Sequence, residues 1–441
     1  MSSKKRIITS WGRTSYISDA QIIDLKSFVS RPESFPGGVI PIGLGRSYGD
    51  SRINEKGSHL DFSKNTLITI DPHTQVAHCG SGASIGQLEE TALKNNLFPY
   101  VVPGTKNVTI GGAIASDIHG KSHFYRGSFG NWILSIRLLK SNLEVVDLYP
   151  EGETSDFFWA TVGGMGLTGA IISAEIQLMR VYSRFLSQHI QKASKIDEVI
   201  QLLVDLDGKY EYTVAWLDTS ANQNNGRGIV SVANHRPVIE EKKTEIRLKR
   251  LKTFRLPDTF PSTSINRFTT SLFNSLWFHK PINNDIIDLR RFFHPLDGIQ
   301  NWNVMYGRKG FIQYQFVVPE KHVEFIKVFL DILKANSLTS PLTVLKRFGE
   351  GNAGFLSFPI EGWTISVDLP FHNKKCLKIL DSVDLMVAEL GGRVYLSKDS
   401  RLSSEAFKGM YENLKDWISI KKAMDPNNLW QSNQGRRLGL C

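Results

Sequence analysis

Three blocks of small residues have the composition needed to hold an anion with backbone alone. The first is Pro41-Ile42-Gly43-Leu44-Gly45-Arg46-Ser47-Tyr48-Gly49-Asp50-Ser51. The second runs from Pro103-Gly104-Thr105 through Thr109-Ile110-Gly111-Gly112 to Ser116-Asp117-Ile118-His119-Gly120-Lys121, and the third is Gly163 to Gly169. Clustered glycines let N–H groups converge on a phosphate, because no Cβ blocks close approach. The first block is not a Walker A loop, since no Gly-Lys-Ser/Thr follows. Nor is it a Rossmann fingerprint, since its spacing is G-x-G-x-x-x-G with no clear helix after it. Asp117, His119 and His123 are metal-ligand types, but no completing ligands sit at a usual spacing, so no metal is expected. Three such blocks together fit a long, planar, phosphate-bearing cofactor. Further on, Gln313 and Gln315 alternate with Tyr314, so on a strand both amides face one side. That is the arrangement a grip on sugar hydroxyls needs; taken alone, such a pair is more often an ordinary solvent-facing strand.

The elements that position these residues follow from periodicity. GVIPIG, HLDFS, TLITIDP and QVAHCGSG read as short strands, and residues 83–97 as a helix capped by Ser84. ILSIRLLKSNLEVVDLYP predicts a hairpin about Ser141-Asn142. DFFWATVGGMGLTGAIISAEIQLM starts as a helix, breaks at its glycines and resumes as a strand. After about Val181 glycine thins and aromatics multiply. There IIDLRRFFHPLD, GFIQYQFVVP and WTISVDLPF read as strands, and KHVEFIKVFLDILKAN and KCLKILDSVDLMVAEL as amphipathic helices. Of 36 glycines, 20 lie between Gly37 and Gly169, and this asymmetry separates the two regions.

The composition excludes several classes. With 441 residues, 41% hydrophobic and 22% charged, the chain suits two or three folded domains. Cys79, Cys376 and Cys441 form no CxxC or CxxH pattern, which argues against a disulfide framework or a zinc site. MSSKKRIITSWGR has no apolar segment after its basic residues, and no stretch is long and apolar enough to span a bilayer. The expected location is the cytoplasm. The net charge of +10 favours anionic partners. Residues 242–255 carry seven basic residues and one acid, which suits a solvated loop or a membrane-surface contact. Only Phe254 is interleaved there, so a nucleic-acid partner is not expected.

GLGRSYGD, PGTKNVTIGGAIASDIHGKSH, GSFGN and FWATVGGMGLTG together resemble the FAD-binding domain of the vanillyl-alcohol-oxidase (PCMH-type) flavoproteins. Within that superfamily the chain resembles the decaprenylphosphoryl-β-D-ribose 2-oxidase family. That likeness extends through WGRT, FHPLD, GFIQYQF, LSFPIEGW, YLSKDSR and the terminal DP…RRL segment. The resemblance implies an α+β fold. A two-part PCMH-type FAD-binding domain would occupy residues 1–181 and a substrate domain with an antiparallel sheet residues 182–390. A segment from 391 to 441 would return to the FAD domain.

It also implies roles. Pro41 to Ser51 would wrap the FAD pyrophosphate. Gly104, Thr109 to Gly112, Ser116 to His119 and Ile171 would line the rest, and Tyr395 would close over it. Arg46 stands where covalent members carry a histidine, so the FAD is expected to be non-covalent. Lys398 matches the active-site lysine, Lys346 a second pocket lysine for the substrate phosphate, and Tyr48 and Lys121 lie near the flavin. Gln313 and Gln315 would bind the sugar, beside Phe293, Thr364 and Ser366. The family carries Tyr at Phe293 and Asn-Ile-Cys at Thr364-Ile365-Ser366, which alters the polarity of the substrate wall; residues 222–261 match poorly.

The implied reaction is oxidation of the C2 hydroxyl of a polyprenyl-phosphate pentose to a 2-keto sugar. A separate short-chain NAD(P)H-dependent reductase would complete the epimerisation. Peripheral contact at the inner face of the plasma membrane suits such a substrate. The alternative is an FAD-dependent oxidase of a soluble sugar, polyol or aldonolactone.

Overall fold

A computed structural model describes residues 6–30, 35–220, 226–236, 254–257, 261, 265–282 and 286–441. Most of the basic run 242–255 lies outside these residues; only Phe254 and Arg255 are described. The fold is mixed α+β and is organised by three sheets.

The first sheet has four strands, in the spatial order Arg6–Thr9, Tyr16–Ile23, Ser58–Asp61 and Val39–Ile42. The second is built on the long strand Ala170–Arg180. Val76–Gly80 flanks it on one side and Ile133–Leu139 on the other, and Leu97–Pro99 pairs with its C-terminal end, all antiparallel. Ile133–Leu139 and Val145–Leu148 form the hairpin read from the sequence. Ser84 caps the helix Ile85–Leu93 through a reciprocal capping box with Gln87, as expected of Ser-x-x-Gln before an apolar stripe.

The third sheet has eight strands. Its order is Ile286–Asp288, Phe185–Ala193, Arg227–His235, Tyr212–Asp218, Thr343–Phe348, Gly362–Pro370, Phe311–Pro319 and Arg393–Val394. Every pair in it is antiparallel. Side chains alternate across a strand, and this sheet uses its two faces differently. Tyr314, Phe316, Leu345, Ile365 and Val367 join the helices Ile196–Leu206, Glu324–Ala335 and Lys374–Glu389 in one apolar core. Burying each such large side chain is worth about 1.5–3 kcal/mol, which fixes the register.

That register presents a polar set on the opposite face. Gln313 pairs with Asp368, Gln315 with Ser366, and Lys346 with Thr364. Directly paired residues share a face, so the glutamines, the lysine and the carboxylate converge there.

One expected strand is corrected. IIDLRRFFHPLD forms a strand only over Ile286–Asp288. The Asp288 carboxylate then accepts from the Arg290 N–H at 2.9 Å, an N-cap that turns Leu289–Phe293 into a short helix.

After Arg393–Val394 the chain returns to the first sheet. The Val39 N–H donates to the Leu429 carbonyl at 2.7 Å, and Trp430 packs on Phe28 at 5.6 Å between ring centroids.

Candidate active site

A cleft with about 940 Å³ of empty space, open at its mouth, runs between the first two sheets. Its walls include Pro41 to Ser47, Ser51, Thr109, Gly111, Gly112, Ser116, Ile118 and Ile171 among the residues singled out from the sequence. Small residues here make room that side chains would take. A Cβ on Gly43 would collide with the Thr109 side chain, reaching its Cγ2 at 2.8 Å. Thr109 cannot yield freely, because its hydroxyl caps the helix Ile110–Ala115 by accepting from the Gly112 N–H at 3.2 Å.

The cleft is cationic. Arg46 and Arg52 both line it, and burial and the neighbouring Arg46 lower Arg52 to about 10. Arg52 Nε and Ser81 Oγ are buried there without a hydrogen-bond partner. Unsatisfied donors on residues that line a cleft of backbone and two guanidiniums fit an elongated anion such as the pyrophosphate of FAD. Arg46 and Arg52 would hold its charge, and the backbone of residues 43–47 its phosphate oxygens.

Several expected cofactor contacts do not line this cleft. Asp50 is clamped by Arg437, with bonds of 2.7 and 3.1 Å, and the same guanidinium reaches Asp399 at 2.8 Å. Gly49 is pressed against the Asp399 carbonyl, where a Cβ has no room. The Ile110 side chain is turned into the core, and Gly104 has open space around it. Asp117 is fully buried and accepts from Ser128 Oγ, the Gly130 N–H, Asn352 Nδ2 and Ser357 Oγ, so it ties loops together. Tyr395 stacks on Phe358 at 4.7 Å and donates to the Ser116 carbonyl at 3.0 Å, behind the wall. Tyr48 and His119 belong instead to a second, polar pocket.

That pocket lies where the polar face of the eight-stranded sheet meets the first two glycine blocks. The loop from Tyr395 to Lys398 is tied into it by backbone. The Tyr395 N–H donates to the Gln315 carbonyl, the Tyr48 N–H to the Ser397 carbonyl, both at 3.0 Å, and Ser397 Oγ meets Ser116 Oγ at 3.1 Å. Lys398 Nζ thereby sits 5.8 Å from the centre of the Tyr48 ring. Burial pushes Lys398 down to about 7, against the pull of the Asp368 carboxylate. Tyr48 is held well above its usual value by burial and by Asp368.

Asp368 accepts from Tyr306 Oη at 2.5 Å and from Gln313 Nε2 at 2.7 Å, and burial raises it to about 6. Neither Asp368 nor Tyr306 was found from the sequence. The available signal was an acid within the apolar strand WTISVDLPF, a residue that must find a partner if buried.

Two more lysines lie nearby, each half-buried. Lys346 Nζ lies 2.8 Å from His119 Nδ1 and 3.2 Å from the Gly120 carbonyl, while Gln315 Nε2 approaches His119 Nε2 at 3.0 Å. Neutral imidazole accepts at one nitrogen and donates at the other. With Gln315 donating to Nε2, Nδ1–H points at a Lys346 amine that burial and the charges of Lys398 and Lys121 keep well below its usual range. Both nitrogens are thus engaged, which agrees with a flavin bound without a histidine bond. Lys121 donates to the Phe292 carbonyl and lies over the Phe292 ring at 4.1 Å; burial lowers it to about 7. Gln315 Nε2 also donates to Thr364 Oγ1 at 2.9 Å, leaving its Oε1 buried without a partner. Ser366 is mostly buried on the same face.

Phe293 is a correction. The one-turn helix started by Asp288 swings it into the core, stacked on Phe98 at 5.6 Å and edge-on to Tyr212 at 4.9 Å. It backs Lys121, 6.0 Å from the ammonium, and offers no face to a substrate cavity. His123 packs on Phe348 at 4.1 Å. Among the described residues no group of three His, Cys, Asp or Glu is placed to hold a metal.

The family described as the FAD binding domain matches residues 24–149, the span that contains the first two glycine blocks. Over 446 aligned residues the chain is 38% identical to the decaprenylphosphoryl-β-D-ribose oxidase of Mycolicibacterium smegmatis, covering 98% of this chain and 96% of that one. It is 30% identical over 374 residues to a Streptomyces coelicolor protein, named as uncharacterized in the mprA 5′ region, covering 81% of this chain and 100% of that one. A D-lactate dehydrogenase of Archaeoglobus fulgidus is 27% identical over 128 residues, 28% of this chain. Cleft, unsatisfied donors and full-length likeness agree: this chain is an FAD-dependent oxidoreductase and a member of the decaprenylphosphoryl-β-D-ribose oxidase family.

Proposed function

We propose that this protein oxidises the C2 hydroxyl of a polyprenyl-phosphate-linked pentose to the 2-keto sugar. The carrying observation is a cluster of three half-buried lysines, Lys121, Lys346 and Lys398, and one buried carboxylate nearby, Asp368. Three half-buried amines with one matching acid favour an incoming anion, and a phosphosugar supplies one. Bound FAD supplies the acceptor for the hydride that leaves C2.

The protein's own groups do the rest. Lys398, with a value of about 7, can take the hydroxyl proton as a neutral amine. Asp368 keeps that amine from falling further, and Tyr48 borders it. Gln313 and Gln315 present amides to the sugar hydroxyls, with the free Gln315 Oε1 as an acceptor. Lys346 and Lys121 meet the phosphate, which restores their charge. The 2-keto product needs a hydride donor to become the epimer, so a separate NAD(P)H-dependent short-chain reductase follows. The substrate's lipid places the enzyme at a membrane surface. No helix among the described residues is long and apolar enough to cross a membrane.

The test is anaerobic mixing of the purified flavoprotein with a farnesyl-phosphoryl pentose, following the absorbance of oxidised flavin. Bleaching by the lipid-linked sugar and not by free pentose is the expected result. Bleaching by free pentose alone would assign the enzyme to soluble sugars.

A further inference from the structure

The helix Arg267–His279 is amphipathic in the opposite sense to one packed on a protein core. Its inner side is polar. Thr270 and Asn274 are buried, and Asn274 Nδ2 donates to Asp218 Oδ1 at 2.9 Å and to the Ser340 carbonyl at 3.2 Å. Its outer side is apolar: Phe268, Leu272, Phe273, Leu276 and Trp277 form one stripe at i, i+4, i+5, i+8 and i+9. These five are 44% to 76% exposed. Burying an amide costs free energy unless it is hydrogen-bonded; here Nδ2 is bonded twice, while Oδ1 is buried without a partner. The inward polar face is therefore built, and it holds the apolar stripe outward.

Charge says what meets that stripe. The helix contains no acid, and Arg267 and Lys280 stand at its ends. Lys280 Nζ lies 5.0 Å over the Trp277 ring and Lys192 5.5 Å from the Phe278 ring, whose other neighbour, Arg227 at 4.2 Å, is ion-paired to Asp218. Over residues 242–280 the sequence has nine Lys/Arg and two Asp/Glu, so most of the chain's +10 is concentrated around this helix in sequence. Phe, Leu and Trp rimmed by cations match the two layers of an anionic bilayer surface. The acyl boundary takes the rings, and the phosphates take the ammonium and guanidinium groups.

We propose that the helix Arg267–His279 is the surface on which this protein docks to an anionic bilayer, lying flat with the Phe268-to-Trp277 stripe inserted. The proposal deepens the reading of a lipid-linked substrate and rests on it for its purpose. Its position is apt. Ser340 holds Asn274 with its carbonyl and, with its hydroxyl, accepts from the backbone N–H of Asp368 at 3.0 Å. A single residue thus separates the docking helix from the carboxylate of the active site.

The test uses the FAD-loaded full chain and phosphatidylcholine vesicles with or without phosphatidylglycerol. The wild type sediments with the anionic vesicles. L272E/L276E loses at least about tenfold of that binding, since it drives two charges toward the acyl boundary. It keeps its flavin and its turnover of a water-soluble, short-chain prenyl-phosphoryl pentose. F268S/F273S, which adds no charge, loses binding by a smaller factor, and its flavin content reports that it has folded. Unchanged vesicle binding in both variants overturns the proposal. So does a wild type that ignores anionic vesicles, or a concentration-dependent dimer that L272E/L276E abolishes, which would assign the stripe to a second copy. A wild type that docks yet is not reduced by the lipid-linked sugar leaves the docking surface standing and overturns the substrate reading instead.

Discussion

The cofactor cleft and the lysine pocket are adjacent and are built on opposite principles. The cleft is made largely by leaving side chains out: glycines and small residues supply about half its walls, beside Arg46, Arg52 and apolar side chains such as Phe62, Met165 and Ile171. The pocket is made by drawing polar side chains out of water: two glutamines and an aspartate are buried, and three lysines and a histidine are half-buried beside them. The first is set by local sequence, since consecutive residues in a loop supply it. The second is set by the register of three strands and one returning loop, so its members are scattered from Tyr48 to Lys398. Damage should therefore separate: the cleft fails by steric intrusion, the pocket by loss of charge.

The largest effect expected is on the cleft. Gly43→Val places branched carbons into Thr109, which is pinned as a helix cap. The variant should be purified without flavin and without turnover, as checked by the absorbance ratio of flavin to protein. Full flavin occupancy in this variant would show that the loop does not approach the cofactor as closely as the glycine implies.

Lys398→Ala tests the other side. It removes an amine and leaves the backbone that ties residues 395–398 to Gln315 and Tyr48. FAD should remain, while the rate of flavin bleaching by the lipid sugar falls by about 10²–10⁴-fold, the range for losing a positioned proton acceptor. A normal rate would remove Lys398 from that role.

The pocket's charge also predicts a pH dependence with a definite shape. In the free enzyme Lys398 and Lys121 both titrate at about 7, the first needed neutral and the second charged for the phosphate, so kcat/KM should peak near that value. The Asp368 carboxylate raises Lys398, so Asp368→Asn should move the acid limb of that profile to lower pH. Stability follows the same groups. Unfolded lysines keep their protons up to about 10.4, whereas folded Lys121 and Lys398 release theirs at about 7. Between those values the unfolded chain binds more protons, so stability should rise with pH across that window. Thermal unfolding with saturating FAD at pH 7 and at pH 9 checks this.

The two regions also differed in how far they could be read from sequence. The cleft was legible because its signal is local: glycine spacing, the Ser84 capping box and the Ser141-Asn142 hairpin all lie within a few residues of what they specify. The glutamine pair was half legible, since strand alternation puts both amides on one side and cannot say whether that side is buried. Asp368 was not legible, because its partners Tyr306 and Gln313 are brought to it by pairing across the sheet. Phe293 was misplaced for a related reason, since the Asp288 cap converts an apparent strand into a helical turn. The inversion of the helix Arg267–His279 was hidden too, because its polar residues find their partners in Asp218 and Ser340.

The smallest effects offer the sharpest test, because the two regions each contain a threonine doing similar work. Thr109 accepts from the Gly112 N–H at 3.2 Å as a helix cap on the cleft wall. Thr364 accepts from Gln315 Nε2 at 2.9 Å and donates to the Phe316 carbonyl at 2.8 Å, buried in the sheet. Valine replaces either with little change of shape. Thr109→Val should cost about 0.5–2 kcal/mol of local stability, read as weaker FAD retention with an unchanged KM for the lipid sugar. Thr364→Val leaves a buried amide and a carbonyl short of a partner, at about 1–3 kcal/mol. It should raise KM and lower thermal stability while FAD stays bound. If both variants moved FAD retention and KM together, cleft and pocket would be one mechanical unit, and the Tyr48–Ser397 and Ser116–Ser397 ties would be what couples them.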